Sequence, residues 1–161
     1  WARKHNIKTM ADSILDLREQ GINSVKQLDE LIQKSADERQ ELQDEIKGIE
    51  TQMNDLSEEM ENIHTINQYR EIYKYHKKNP DDTHFSEEYY SELAIYKVAA
   101  KEILKRYDKL PDTKGILSKL DQLQEKKNTL MQEYSLNKNQ FSELVQYRKN
   151  YENYYGKEVE R

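Results

Sequence analysis

The feature that most constrains this chain is a proline-free alternation of apolar residues at three- and four-residue spacing, within about 25–78. The stripe consists of Leu28, Ile32, Leu42, Ile46, Ile49, Met53, Leu56, Met60 and Ile63. Polar Ser35 and Arg39 interrupt it, and Gly48 is a candidate bend because glycine weakens a helix interior. Alternation of this kind is typical of a coiled-coil seam, so the sequence predicts one very long helix over 25–78.

Three further helices are predicted. Their approximate bounds are 1–20, 82–109 and 113–155. Gly21 is placed to end the first helix and Gly156 the last, because glycine favours the backbone conformation found just after a helix. Pro80 and Pro111 lie in the breaks on either side of the third helix, since proline disfavours helical geometry at the residue before it.

Each of these helices carries an apolar stripe of its own. The stripes consist of Ile7, Met10, Ile14 and Leu17; of Tyr89, Leu93, Tyr96, Ala100, Ile103, Tyr107 and Leu110; and of Ile116, Leu120, Leu123, Leu130, Tyr134, Phe141, Leu144, Tyr151 and Tyr155. Lys127, Asn137 and Arg148 are polar members of the last stripe. Polar residues in a seam commonly fix its register, and we expect that role for these three.

The predicted fold class is all-α: an elongated antiparallel helical bundle, or coiled coil, with one very long helix. No segment alternates at the two-residue period of a strand, and short breaks make sequential helices antiparallel neighbours. The 161 residues include only four glycines and two prolines, and 35% of them are charged. We therefore expect a single helical, coiled-coil-like domain over 1–161.

Several kinds of chemistry have no signature in the sequence. There is no cysteine, no glycine-rich phosphate loop and no apolar run long enough to span a bilayer. The four histidines are scattered, without the close spacing of metal ligands: His5, His64, His76 and His84. We expect no active site, metal or cofactor, no membrane insertion, and a cytoplasmic location.

The net charge of −5 argues against binding nucleic acid over the whole surface, but two basic patches stand out. The first interleaves tyrosines with basic residues at the end of the long helix: Tyr69, Arg70, Tyr73, Lys74, Lys77 and Lys78. A weaker patch on the third helix consists of Lys101, Lys105, Arg106 and Lys109. Basic and aromatic residues together suit phosphates and unstacked bases. The alternative is structural, since lysines complement the dipole at a helix C-terminus and tyrosines pack at amphipathic edges.

The chain contains 12 tyrosines, four of them in the segment YRKNYENYYG. Tyr147 and Tyr154 lie off the apolar stripe of the last helix. They form a possible strip for binding a partner, because tyrosine often anchors protein interfaces. The alternative is that these two tyrosines only pack at the end of the helical bundle.

Three segments carry a resemblance to one family: WARKHNIKTMADSILDLREQGINSVKQLDELI, LDQLQEKKNTLMQEYS and YRKNYENYYGKEVER. They resemble the region after the nuclease domain in relaxase, or mobilisation, proteins of Gram-positive conjugative and mobilisable elements. The resemblance extends over essentially the whole chain. It implies a C-terminal helical region cut from a larger protein, which would explain a start at Trp1 inside an amphipathic helix.

Relaxases of this kind nick one DNA strand at a transfer origin, stay attached through a tyrosine and pilot the DNA toward a secretion channel. Their catalytic tyrosine and histidine–hydrophobe–histidine motif have no counterpart here, so the resemblance implies an accessory, non-catalytic role in the bacterial cytoplasm. The implied partners are DNA near the origin, relaxosome proteins, the coupling protein or a second relaxase. The alternative is a structural spacer, or a dimerisation element that forms a homodimer through its coiled-coil seams without contacting DNA.

Overall fold

The structure is a computed structural model that describes the backbone of residues 2–159 and the side chains of residues 8–155. Nearly all of this range is helical. The helices are α1 (Ala2–Glu19), α2 (Val25–Lys78), α3 (Thr83–Glu88), α4 (Tyr90–Leu104) and α5 (Thr113–Val159). No strand occurs between residues 2 and 159. The predicted all-α bundle is confirmed, and its very long helix is α2, which continues through Gly48.

The chain divides into two compact units. Unit 1 consists of Trp1–Lys47 and Asn128–Arg161, and unit 2 of Gly48–Lys127. Both α2 and α5 contribute to both units, and their apolar stripes continue across the boundary. No break in the hydrophobic pattern therefore marks the division in the sequence.

The predicted stripes form the buried faces of the helices. Every stripe position whose side chain is described, polar members included, is buried or half-buried. Leu17, Leu28 and Ile63 are almost inaccessible to solvent. Ile7 lies outside the described side chains. The three- and four-residue spacing therefore predicted the packing face correctly at every stripe position whose side chain is described.

The three polar seam residues of α5 each contact an acidic residue of α2. The pairs are Arg148 with Asp29 at 2.7 Å and Asn137 with Glu38 at 3.3 Å in unit 1, and Lys127 with Glu50 at 2.7 Å in unit 2. In unit 1 the residue numbers rise along α2 as they fall along α5, so the two helices are antiparallel there. In unit 2, Ile116 packs in the cluster of Ile63 while Lys127 bonds to Glu50, which gives the same antiparallel direction. These specific pairings favour the predicted role in fixing register.

In unit 1, α1 lies alongside the C-terminal part of α5. The amide of Asn150 donates to Ser13 Oγ at 2.9 Å, in a buried position, and Arg18 donates to the hydroxyl of Tyr155 at 3.3 Å. Both contacts join residues with the same separation in sequence, so the two helices run parallel. Since α5 is antiparallel to α2, α1 and α2 are antiparallel neighbours, as their short connection requires.

The segment predicted as one helix over 82–109 is different in the structure. Tyr89, with φ −106° and ψ 26°, separates α3 from α4, and its ring packs 4.6 Å from that of Phe85. Helix α4 then ends at Leu104, and the following turn carries Arg106 and Tyr107 to the carboxylate of Glu59 on α2. No glycine or proline lies between residues 82 and 110. The sequence therefore contains no local signal for either interruption.

The predicted stop at Gly156 is also wrong, because α5 continues to Val159. Glycine ends a helix when the chain must adopt a positive φ, and among the described residues only Gly21 does so, at 78°. The stop predicted at Gly21 is confirmed, since α1 ends at Glu19.

Alanine at Gly21, just after α1, and at Gly48, inside α2, should have opposite effects. Gly21→Ala should lower the free energy of unfolding by about 1 kcal/mol, because alanine is strained at a positive φ even where space is open. Gly48→Ala should raise it by about 1 kcal/mol, since Gly48 lies inside α2 and nothing stands within 4 Å of an added Cβ. Urea unfolding followed by circular dichroism measures both. The same sign for both variants would contradict this interpretation of the two glycines.

No helix among the described residues is long and apolar enough to cross a membrane.

Candidate nucleic-acid interface

The core of unit 2 positions the end of α2 beside α4. It is built from Ile63 and Ile66 of α2, Ala99 and Ile103 of α4, and Ile116 of α5. Ile103 of α4 packs with Ile63 of α2, and Tyr96 stacks on Tyr73, so α2 and α4 are antiparallel. The basic end of α2 therefore lies along the N-terminal and central part of α4.

A tyrosine pair lies between these two helices. The rings of Tyr73 and Tyr96 stack with their centroids 4.2 Å apart and their planes at 18°. Both side chains are only half-buried. Together with Lys97, Ala100, Lys101, Leu104 and Lys105 they line a hollow of about 360 Å³. We call this hollow the tyrosine groove.

Three lysines follow one wall of the tyrosine groove. Lys97, Lys101 and Lys105 recur every fourth residue of α4 and its C-cap, which places them about 6 Å apart along one side of the helix. All three are exposed. Lys105 donates to both oxygens of Glu102, at 2.6 and 2.8 Å. Among the described residues, Lys97 and Lys101 form no ion pair.

The structure brings parts of the two predicted basic patches into one site. Tyr73 comes from the first patch, and Lys101 and Lys105 come from the second. Lys97 was missed by the sequence analysis, although its position four residues before Lys101 was a usable signal. The sequence analysis assigned Tyr96, the stacking partner of Tyr73, only to the apolar stripe of the third predicted helix.

The other members of the first patch lie outside the tyrosine groove. Arg70, Lys77 and Lys78 are exposed on α2, and Tyr69 is half-buried. Lys74 bonds to Glu71 at 2.7 Å, and this hydrogen bond lowers the pKa of the Glu71 carboxyl. These residues supply positive charge near the end of α2 without forming the groove.

In the second patch, Arg106 has a structural contact. Its guanidinium donates to Glu59 at 2.5 Å, and the hydroxyl of Tyr107 donates to the other oxygen of the same carboxylate at 2.9 Å. Glu59 is buried, and hydrogen bonding to it raises the pKa of both partners. Arg106 therefore has a structural contact within unit 2, while Lys109 is exposed and outside the groove.

The predicted tyrosine strip lies in unit 1. Tyr147 and Tyr154 are both half-buried. The Tyr154 ring packs edge-on against Tyr155 at 5.4 Å, and Tyr155 lies 4.5 Å from Tyr151. Tyr154 is therefore part of an aromatic cluster at this end of unit 1.

His76 and His84 contact different residues. His76 Nδ1 lies 3.1 Å from Ser86 Oγ, and His84 Nδ1 lies 3.8 Å from Glu88. Within the described part of the chain, no three acidic or histidine side chains are grouped to hold a metal ion. His5 lies outside the described side chains.

Comparison with known protein families, with curated protein sequences and with solved structures finds no match to this chain.

Proposed function

We propose that this chain is a non-catalytic accessory region of a conjugative relaxase, acting in the bacterial cytoplasm, and that it binds single-stranded DNA in the tyrosine groove. The relaxase assignment rests on the sequence resemblance. The observation that carries the DNA-binding assignment is the stacked pair of Tyr73 and Tyr96 beside the lysine row of α4.

The groove offers the two kinds of contact that unstacked nucleic acid uses. Half-buried aromatic rings provide a surface for a base, and base–aromatic stacking tolerates any sequence. Lysines at intervals of about 6 Å along α4 can each meet a phosphate of an extended strand. A duplex has its bases already stacked, so this arrangement favours a single strand.

The electrostatics support local rather than general binding. The chain has a net charge of −5, and acidic residues dominate from Ala36 to Asn62. Lys97, Lys101 and Lys105, with Arg70, Lys77 and Lys78 on the neighbouring helix, concentrate positive charge in one part of unit 2. Acidic regions elsewhere would repel DNA and confine it to this part.

The apolar seams of α2 and α5 are already packed within the chain. This favours DNA binding over the alternative, a homodimer formed through these seams. The stripe positions of α2 and α5 are already buried or half-buried in the two units. A second chain could pair with these seams only by displacing contacts that already exist.

The double variant Lys97→Glu/Lys101→Glu should weaken binding of a fluorescein-labelled single-stranded oligonucleotide by about tenfold or more, since it removes two phosphate contacts and adds two repulsive charges. Fluorescence anisotropy at several salt concentrations measures this. The slope of log K against log salt should become shallower by about 1.4, at about 0.7 per lost contact.

The matched control is Lys26→Glu/Lys34→Glu, which changes the net charge equally but alters exposed lysines of unit 1. It should bind almost as the native chain does. If both double variants lost the same affinity for the oligonucleotide, the loss would come from net charge alone. That result would show that the tyrosine groove is not the binding site. The resemblance to relaxases would then stand without a DNA site in this region.

A further inference from the structure

The outer face of α4, opposite the face that packs in the core, carries exposed apolar residues together with the lysine row. Leu93, Ala99 and Ile103 point into unit 2 and are buried. On the other side, Tyr90 is 73% exposed and Val98 is 62% exposed. Ala94 lies between them and is also exposed. Exposed large apolar side chains grouped on one helix face make it a candidate surface for another molecule.

Around Ala94, apolar residues lie on both sides at a distance of four residues, and residues of opposite charge lie on the two sides at a distance of seven. Tyr90 and Val98 lie four residues before and after it, and Glu87 and Lys101 lie seven residues before and after it. Spacings of four and seven residues stay on one side of a helix. Glu87 is exposed and lines the same surface hollow as Tyr90, so the short interruption at Tyr89 keeps it at the end of this face.

We propose that a second copy of this chain covers the outer face of α4, with the two α4 helices antiparallel across a two-fold axis at Ala94. Each Tyr90 then packs against Val98 of the other copy, and each Glu87 lies opposite Lys101 of the other copy. A two-fold interface must be complementary to itself, and apolar centres with opposite charges at the two ends meet this requirement. The small side chain of Ala94 lets the helices approach closely on the axis.

The charges favour this occupant over others. In a parallel pair, Glu87 would face Glu87 and Lys101 would face Lys101, so like charges would repel. A partner other than a second copy would not require the two ends of this face to complement each other. One helix of 15 residues provides less surface than a standard stable interface, so we expect a reversible dimer rather than a permanent one. This inference is tested without DNA, because Lys101 is also a proposed phosphate contact and cannot serve both partners at once.

A single cysteine tests the geometry directly, because the chain has no cysteine of its own. Ala94→Cys should place two thiols together on the two-fold axis and give a disulfide-linked dimer under mild oxidation, seen by non-reducing electrophoresis. The control is Leu136→Cys, at a residue of unit 1 that is 64% exposed. Cross-linking of both variants to the same low extent would overturn the proposal.

Charge exchange tests the pairing in the full chain without new covalent bonds. Glu87→Lys alone and Lys101→Glu alone should each weaken self-association by about tenfold, as measured by sedimentation equilibrium over a concentration series. An equimolar mixture of the two variants should recover the native association, because both pairs become attractive in the mixed dimer. Circular dichroism of each variant shows whether it is folded.

Three results would overturn the proposal. A native chain that stays monomeric up to millimolar concentration leaves the outer face of α4 to a different molecule. A native dimer unaffected by either charge variant lies on another surface. A mixture that associates no better than its components shows that Glu87 and Lys101 do not face each other.

Discussion

Replacing Ile63 with alanine should lower the free energy of unfolding by about 2–5 kcal/mol, the range measured for truncating large aliphatic side chains in protein cores. Ile63 is 1% exposed and lies in the cluster where α2, α4 and α5 meet in unit 2. Truncation removes buried apolar area and leaves a cavity that surrounding helices close only in part. Urea unfolding followed by circular dichroism measures the change.

The control for Ile63→Ala is Leu117→Ala. Leu117 is on α5 in the same unit but is 48% exposed, so its truncation should change the free energy of unfolding far less. If Ile63→Ala cost no more than Leu117→Ala, the packing of α2 against α4 and α5 around Ile63 would be wrong. Position 63 then could not be in the core of unit 2.

Glu59→Ala should lower the free energy of unfolding by about 2 kcal/mol. The carboxylate of Glu59 is buried and accepts hydrogen bonds from Arg106 and Tyr107, which hold the turn after α4 against α2. Alanine leaves the half-buried hydroxyl of Tyr107 without this acceptor, and a buried polar group without a partner is costly. The guanidinium of Arg106 is half-exposed and regains water, which limits the loss.

The neighbouring Glu58→Ala is the matched control for Glu59→Ala. Glu58 is exposed, so the change in unfolding free energy should stay within about 0.5 kcal/mol. Tyr107→Phe combined with Glu59→Ala in a double-mutant cycle separates the hydroxyl contact from the rest. Additive effects of the two changes would show that Tyr107 and Glu59 do not interact.

The helical packing faces could be predicted from the sequence because helix geometry is local. A seam position follows from spacing alone, so Leu28, Leu93 and Ile116 were all placed on buried faces correctly. The same reasoning found Lys127, Asn137 and Arg148 as polar members of a seam. Their acidic partners on α2 could not be named, since pairing depends on the register between segments far apart in sequence.

The end of the third predicted helix at Leu104 was missed for the same physical reason. Tyr89 and Leu104 are compatible with a continuing helix, and it is the contact of Arg106 and Tyr107 with Glu59 that accompanies the turn. Gly156 shows the opposite error, because glycine permits a helix end without requiring one. Local signals constrain the backbone only where tertiary contacts do not override them.

The sequence predicted the types of residue in the candidate site but not their arrangement. The sequence suggested that tyrosines and lysines near Tyr73 and near Lys101 contact DNA, but it treated them as two separate patches. Their meeting in one groove follows from the antiparallel packing of α2 and α4. Lys97, four residues before Lys101, extends the lysine row along this groove.

The most direct test of the central claim, that the tyrosine groove holds single-stranded DNA, is photocross-linking with mapping by mass spectrometry. An oligonucleotide carrying 5-iodouracil, which couples to aromatic side chains that it stacks on, is irradiated with the native chain and digested. We expect cross-links on peptides containing Tyr73 or Tyr96, and their loss in Lys97→Glu/Lys101→Glu. Cross-links confined to Tyr147 or Tyr154, or none at low salt, would contradict the claim.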